Sequence, residues 1–409
     1  MTPASSSVFP AGRAIDTLFL VDELLAYRDR FPILRDCIYL INHSLAAMPA
    51  AAEDRLLEYA RMWRERGIRS WGEGWWEMPV TIGDQLARIM GAAPGTIVMH
   101  QNVTVAEEVV ISCFRKGLVR APGVRNRVVY EEANFPSVRY LYQAQPDVEV
   151  VAVEDDRAIV EAIDERTLLV PISHVLFKNA EIQDVEPIVR RAHEAGAYVV
   201  LDCYQSAGVV PFDLTALEVD FAVGGSVKWL CGGPGAGWLY VRPDLAERLE
   251  PTFVGWQGHA RPFAFEPELE YAPGVRRFLT GTPNVPALYA ASAGYDVIEE
   301  VGVERIRERS LLLTSLLIEL LDDAGFEISS PREPARRGGT VLVRTPDDAA
   351  VHRELGERGI ICDFRPGAGV RLGPHFYNTE DELRETVAQL VEIVESGAFE
   401  RHSGAAARF

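Results

Sequence analysis

Between residues 81 and 245 the hydrophobic pattern switches back and forth between a helical period and short continuous apolar runs. "TIGDQLARIMGA" (81–92) carries its apolar residues at helical spacing and ends at Gly91. "VEVVAVE" (148–154) and "TLLVPISHV" (167–175) are β-branched and aliphatic runs of strand length, and a shorter strand is predicted within "RNRVVYEEANFP". "DVEPIVRRAHEAGAYVVLDCYQSAG" predicts a helix stopped by Gly196, a strand over 198–202 and then a loop. "VDFAVGGSVKWL" predicts a strand and a turn, and "GAGWLYVRPDL" a strand closed by Pro243. Strands that alternate with helices in this way predict βαβ units and a mostly parallel sheet.

Beyond residue 285 the pattern changes to one long helical stretch, about 286–324. It is followed by "FEISS", "GTVLVRT", a helix near 347–358, "IICDFR", "GVRLGP" and a helix near 379–396. The fold class expected is α/β: a large domain with a mostly parallel, seven-stranded type of sheet flanked by helices, plus a smaller α/β domain. The boundaries expected are 1–60 for an N-terminal segment packing with the small domain, 61–290 for the large domain, 291–400 for the small domain and 401–409 for a disordered tail. The Ser/Pro/Ala-rich residues 1–13 are expected to be loose.

Composition narrows the function. The chain of 409 residues is 48% hydrophobic and 25% charged, which is globular and large enough for two domains. A net charge of -19, spread along the chain, argues against nucleic acid as a partner. No apolar run approaches the roughly 18 residues of a membrane span, and the N-terminus lacks the basic start and apolar run of a signal peptide. A cytoplasmic enzyme is expected. Cysteines 37, 113, 203, 231 and 362 form no C-x-x-C pair, so neither a disulfide framework nor a metal site is expected.

Candidate chemistry gathers at strand ends. An apolar run leads straight into Asp202, and Lys228 follows the next strand, 26 residues later. Ligand sites of parallel sheets lie beyond the carboxyl ends of strands. Two plainer readings stand beside this one, a turn cap for Asp202 and a structural ion pair for the two residues. Three neighbours favour the ligand site: Asn102 and Thr104 at a helix start in "QNVTVAEE", Ser226 two residues before the lysine, and the loop "TGTPN" (280–284). A cofactor with a phosphate, a carbonyl that a lysine captures and a ring nitrogen that wants a carboxylate would use all of them. That cofactor is pyridoxal 5'-phosphate.

"LDCYQSAG…VDFAVGGSVKWLCGGPGAGWLYV" and "LTGTPNVPALYA" resemble the class V branch of fold-type I pyridoxal-phosphate enzymes. Within it, "NHSLAAMP", "SWGEGWWEMPVTIGDQLARIMGA" and "VGWQGHARPFAFEPELEYAPGVRRF" are similar to segments of the kynureninases. The resemblance implies a role for each matching residue. Lys228 would hold the cofactor as a Schiff base and shuttle the Cα proton, and Asp202 would keep the pyridine nitrogen protonated. Gln205 would reach the phenolic oxygen and Phe135 would stack on the ring, unless Phe135 is plain core. Val103, Thr104 and Ser226 would hold the phosphate, with Trp256 near it and Thr282 reaching in from a second subunit, so a homodimer with shared active sites is expected. Arg371, unless it is a surface arginine, would grip the substrate α-carboxylate in a bidentate fork, with Ser44 and His43 near the substrate. Trp71, Trp75 and Trp76 would wall an aromatic substrate or serve as core or interface.

The implied activity is hydrolytic Cβ–Cγ cleavage of an L-amino acid with a γ-carbonyl, releasing alanine. The alternatives are another class V reaction (an aminotransferase, an epimerase or a β-eliminating lyase) or a non-catalytic binding protein of the same fold. Three departures bear on the substrate: kynureninases usually carry Tyr where this chain has Val227, Asp where it has Val138 and Asn where it has Thr282. Cysteine desulfurases need a mobile loop cysteine, and Cys362 lies in strand-like sequence.

Overall fold

The computed structural model describes residues 23–117 and 124–404, so the segment expected to be loose over 1–13 lies outside the described residues. In chain order the strands are β1 (Ile38–Tyr39), β2 (Ile97–His100), β3 (Arg127–Glu131), β4 (Glu149–Val153), β5 (Thr167–Ser173), β6 (Tyr198–Asp202), β7 (Phe221–Gly225), β8 (Gly237–Val241), β9 (Glu327–Ile328), β10 (Val341–Arg344), β11 (Ile360–Ile361), β12 (Asp363–Arg365) and β13 (Gly369–Leu372). Seven of them form the central sheet in the order β2-β8-β7-β6-β5-β3-β4. It is the expected mostly parallel sheet, since only β8 runs antiparallel to its neighbours β2 and β7.

Continuous apolar runs become strands here because helices cover both faces. Every residue of β5, β7 and β8 is buried. The helices Met78–Ile89, Val185–Ala195 and Val285–Val301 pack one face, and Val103–Ser112 and Pro136–Gln143 the other. Gly196, at φ 73°, ends the Val185–Ala195 helix in the left-handed region that favours glycine.

The single long helix expected over about 286–324 is two helices, Val285–Val301 and Val303–Asp323. Gly302 between them has φ 87°, which no helical residue can adopt. The second helix, with Asp348–Glu357 and Glu380–Ser396, covers the four-stranded antiparallel sheet β12-β13-β10-β9. The N-terminal segment joins this smaller unit where β1 pairs in parallel with β11. Its helix Ala51–Arg66 instead packs against Val285–Val301. At the other end, Ala398–His402 form a 3-10 turn whose Arg401 and His402 bond Glu354, and residues 405–409 lie outside the described part. Among the described residues no helix is long and apolar enough to cross a membrane.

Two features position the site. β6 and β7 are parallel neighbours with Asp202 opposite Val223, so Asp202 and the turn carrying Lys228 leave the sheet at the same edge. On the small-domain side, β12 and β13 place Asp363 directly opposite Arg371. Period-two alternation then turns Asp363 and Arg365 to one face.

Candidate active site

A cavity of about 620 Å³ opens at the carboxyl edge of the central sheet, between it and the small domain. It is lined by His43, Ser44, Val103, Thr104, Phe135, Asp202, Gln205, Lys228 and Arg371. Asn102 lines it too, so the cavity gathers ten of the residues singled out from sequence as candidates for a ligand site. Ser226, Trp256 and Thr282 do not line it.

Lys228 follows β7 on a turn, and its side-chain amine makes no hydrogen bond or ion pair among the described residues. Its Nζ lies over two rings, 4.4 Å from the centre of Tyr204 and 5.6 Å from that of Phe135. Burial lowers its pKa; Asp202 opposes that shift, while Arg371 and Arg365 add to it. Burial likewise raises Asp202, against the pull of the Tyr204 N–H, which donates to Oδ1 at 2.8 Å, and of Lys228. Burial thus pushes the acid up and the amine down.

Two more carboxyl groups lie behind Asp202, at the end of β3 and on the Val103–Ser112 helix. Glu131 accepts from the Ser173 N–H at 2.9 Å, and Glu107 accepts from the Tyr142 hydroxyl. Each keeps one buried oxygen without a partner. Burial pushes Glu131 up to about 7 and Glu107 to about 8, and the charge of Asp202 adds to both shifts. Neutral acids are the forms this apolar layer tolerates.

The small-domain end is built differently. Asp363 accepts from Arg371 Nε at 2.7 Å and Nη2 at 2.6 Å and from His43 Nε2 at 2.9 Å, and it forms an ion pair with Arg365 Nη1 at 3.1 Å. Burial alone would raise its carboxyl, but His43 and Arg371 hold it far below the carboxylate range. His43 is lowered to about 4, by burial first and then by Arg371. Donating from Nε2 while neutral, it leaves Nδ1 buried without a partner and pressed against Gly373, where an added Cβ would lie 2.2 Å from that nitrogen. The carbonyl of Phe177 takes Nη1 of Arg371 at 3.0 Å. With Asp363 on the Nε/Nη2 edge, a substrate carboxylate is left the end-on edge of the guanidinium between Nη1 and Nη2.

The phosphate donors divide. Asn102 caps the Val103–Ser112 helix by accepting from the Val105 N–H at 3.1 Å. The Val103 and Thr104 N–H groups, first in that helix, have no helical acceptor, and both residues line the cavity. Ser226 is turned away: its Oγ donates to the Ala236 carbonyl at 2.6 Å and meets the Tyr295 hydroxyl, and the residue is 1% exposed. Gln205 Nε2 donates to the His43 carbonyl at 3.1 Å and keeps its second N–H. Trp256 and Thr282 are exposed, and Trp256 joins an aromatic cluster with Trp76, Phe263 and Phe265.

Sequence reasoning missed Tyr204, Phe177, Arg365, Asp363, Glu107 and Glu131. A signal existed for Asp363 and Arg365, whose alternation in "CDFR" faces the alternation of "GVRL" across a hairpin. No sequence signal separated Glu107 from its neighbour Glu108.

These groups fit a cofactor with a carbonyl, a basic ring nitrogen and a phosphate: an unpartnered amine, a buried carboxyl one strand away and open N–H groups at a helix start. Comparison with known proteins agrees. The family model "Aminotransferase class-V" matches residues 38–384. A kynureninase of Pseudomonas fluorescens is 34% identical over 388 residues, covering 91% of this chain and 93% of that protein. A kynureninase of Burkholderia pseudomallei (strain K96243) is 31% identical, covering 92% and 94%. Among solved structures, the apo cysteine desulfurase of Thermococcus onnurineus superposes with a TM-score of 0.79 at 22% identity, covering 91% of this chain and 98% of that one. The cystine C–S lyase C-DES with its product cysteine persulfide superposes with a TM-score of 0.79 at 21% identity, covering 88% and 99%. At these identities the solved structures speak to the fold alone.

Proposed function

The chain belongs to the class V aminotransferase family, and from that premise we propose that it is a pyridoxal 5'-phosphate enzyme of kynureninase type. It would hydrolyse the Cβ–Cγ bond of an L-amino acid bearing a γ-carbonyl: water adds to the carbonyl carbon, the bond breaks, and alanine and a carboxylic acid leave. The observation that carries this reading is the likeness to kynureninases at 31–34% identity over nine-tenths of the chain. The unpartnered Lys228 beside Asp202 supports the cofactor.

When bound, pyridoxal 5'-phosphate supplies a carbonyl that an amine captures and a ring that accepts an electron pair. The chain's residues would supply the rest. Lys228, its pKa lowered by burial, would anchor the cofactor and then, as a free amine, carry the proton to and from the substrate Cα. Asp202 would hold a proton on the ring nitrogen, Phe135 would cover the ring and Gln205 would spend its second N–H on the phenolic oxygen. The Val103 and Thr104 N–H groups would take the phosphate. Arg371, steadied by Asp363, would grip the α-carboxylate on its end-on edge, with Ser44 and His43 beside it. Thr282 and Trp256 would complete the site of a second subunit, in a cytoplasmic homodimer.

A second reading, another class V reaction, is favoured by Val227, which offers no side-chain donor where kynureninases usually carry Tyr. Desulfuration is disfavoured because Cys362 is 4% exposed and burial pushes its thiol far up, leaving little thiolate to act as a nucleophile.

Incubating the holoenzyme with kynurenine, 3-hydroxykynurenine and a panel of amino acids, read by mass spectrometry, tests the proposal. Release of alanine with an acid is expected from a γ-keto amino acid. Transamination, epimerisation or β-elimination without alanine would establish the second reading. Kynurenine itself should be a poor substrate, and a kcat/KM of order 10⁴ M⁻¹s⁻¹ on it would make the chain an ordinary kynureninase.

A further inference from the structure

Tyr204 is the cavity residue whose chemistry is not yet used. Its backbone N–H caps Asp202 and its ring lies under Lys228, yet its hydroxyl has no hydrogen-bond partner among the described residues. Burial pushes the phenol up to about 12, so it remains a neutral donor across the physiological range.

The position of that hydroxyl can be read from two glycines. A Cβ at Gly225 would lie 2.3 Å from the Tyr204 hydroxyl oxygen, so the oxygen rests against the last residue of β7. Gly225 pairs with Gly237 on β8, and a Cβ at Gly237 would lie 2.7 Å from the Cα of Asn102. Asn102 is the cap from which the open Val103 and Thr104 N–H groups start. Side by side, the three backbones bring the phenol toward the helix start where a phosphate would sit. Tyr204, Asn102, Val103 and Thr104 all line the same cavity. The other donors expected on this side are lost, because Ser226 is turned into the core and Val227 has none.

We infer that Tyr204 supplies the side-chain donor on the sheet side of the phosphate cup, its O–H hydrogen-bonding to the cofactor phosphate. The inference rests on the reading of Val103 and Thr104 as phosphate donors. One residue then ties three parts of the cofactor: its backbone orients the carboxyl that meets the ring nitrogen, its ring supports the lysine and its hydroxyl holds the phosphate.

The test compares two ligands of the apo protein, pyridoxal 5'-phosphate and pyridoxal, which lacks the phosphate. Equilibrium affinity for each is measured by the quenching of protein fluorescence in wild type, Tyr204→Phe and Val103→Pro, which removes one of the open N–H groups at the first helical position, where proline is tolerated. Removing a hydrogen bond to a charged group should weaken pyridoxal 5'-phosphate by roughly tenfold to a hundredfold in Tyr204→Phe. Pyridoxal should keep its affinity within about twofold, the change expected where no hydrogen bond is lost. An equal loss for both ligands in Tyr204→Phe overturns the assignment, because the hydroxyl would then act at the ring or the lysine. Lost discrimination in Val103→Pro with none in Tyr204→Phe overturns the role of Tyr204 alone. Unchanged discrimination in both Tyr204→Phe and Val103→Pro overturns the phosphate cup with it.

Discussion

The two ends of the cavity bury acids in opposite ways. At the sheet end, Asp202 and Lys228 sit in an apolar layer with few partners, and burial pushes the acid up and the amine down. At the small-domain end, Asp363 accepts three hydrogen bonds from His43 and Arg371, pairs with Arg365 and stays ionised at any working pH. In the proposed function the sheet end would carry the chemistry and the hairpin end the recognition, and each role would have its own kinetic signature.

The largest effect should come from removing the amine. Lys228→Ala should abolish covalent cofactor attachment, seen as loss of the visible band that borohydride removes from wild type. A persisting imine-type band would move the chemistry to another residue. Asp202→Asn should keep that band and lower kcat by roughly 10² or more, the scale for deleting an electrostatic partner of a developing charge. Turnover close to wild type would reduce Asp202 to a cap for the Tyr204 N–H.

Asp363→Asn should show the other signature. The isosteric amide cannot hold two guanidinium groups by charge, so Arg371 loses its fixed orientation. KM for the amino acid should rise about tenfold or more with kcat changed far less, because the interaction is made equally in ground and transition states. Breaking a buried pair this way costs about 3–5 kcal/mol of stability, so the melting temperature should fall as well. A kcat loss as large as that of Asp202→Asn would erase the distinction between the two ends.

How far the sequence showed this arrangement differs between the same two regions. At the sheet end, apolar runs fix where strands stop, and whatever follows a stop is at the rim; Asp202 and Lys228 were legible for that reason. What lies behind the rim was not. Glu107 sits on a helix whose acidic pair, Glu107 and Glu108, reads as solvated, and only the docking of Tyr142 makes one of them core. Ser226 was expected to face the phosphate, but a turn's side-chain direction depends on Tyr295 from a helix some 70 residues on. At the hairpin end, Arg371 stood out through its family motif, while its partner Asp363 needed the β12–β13 register, which sequence alone leaves free. The break at Gly302 was missed because the apolar period continues across it, and only the backbone angle separates the two helices.

The smallest predicted effect concerns stability, and it carries the contrast into the layer behind Asp202. Glu107 is 1% exposed, and it faces the Tyr142 hydroxyl and the carboxyl of Asp202, with no cation among the groups acting on it. Its folded pKa of about 8 lies above the ordinary 4.5, so its neutral form favours the fold. That contribution is complete below pH 4.5, declines as pH rises and is lost once pH passes about 8. Glu107→Gln keeps an acceptor for Tyr142 but cannot ionise. Urea unfolding at pH 5 and at pH 8.5 should therefore show the variant gaining on wild type as pH rises, by up to a few kcal/mol at about 1.4 kcal/mol per pKa unit. Asp363 has the opposite sign: its folded pKa lies below the ordinary 3.8, so its contribution is present above that value and lost only as pH falls beneath it. Between pH 5 and 8.5 the cost of Asp363→Asn should stay constant. A variant of Glu107 that tracked wild type at both pH values would mean that the acid is already charged in the folded protein, and that the layer behind Asp202 is wetter than its packing implies.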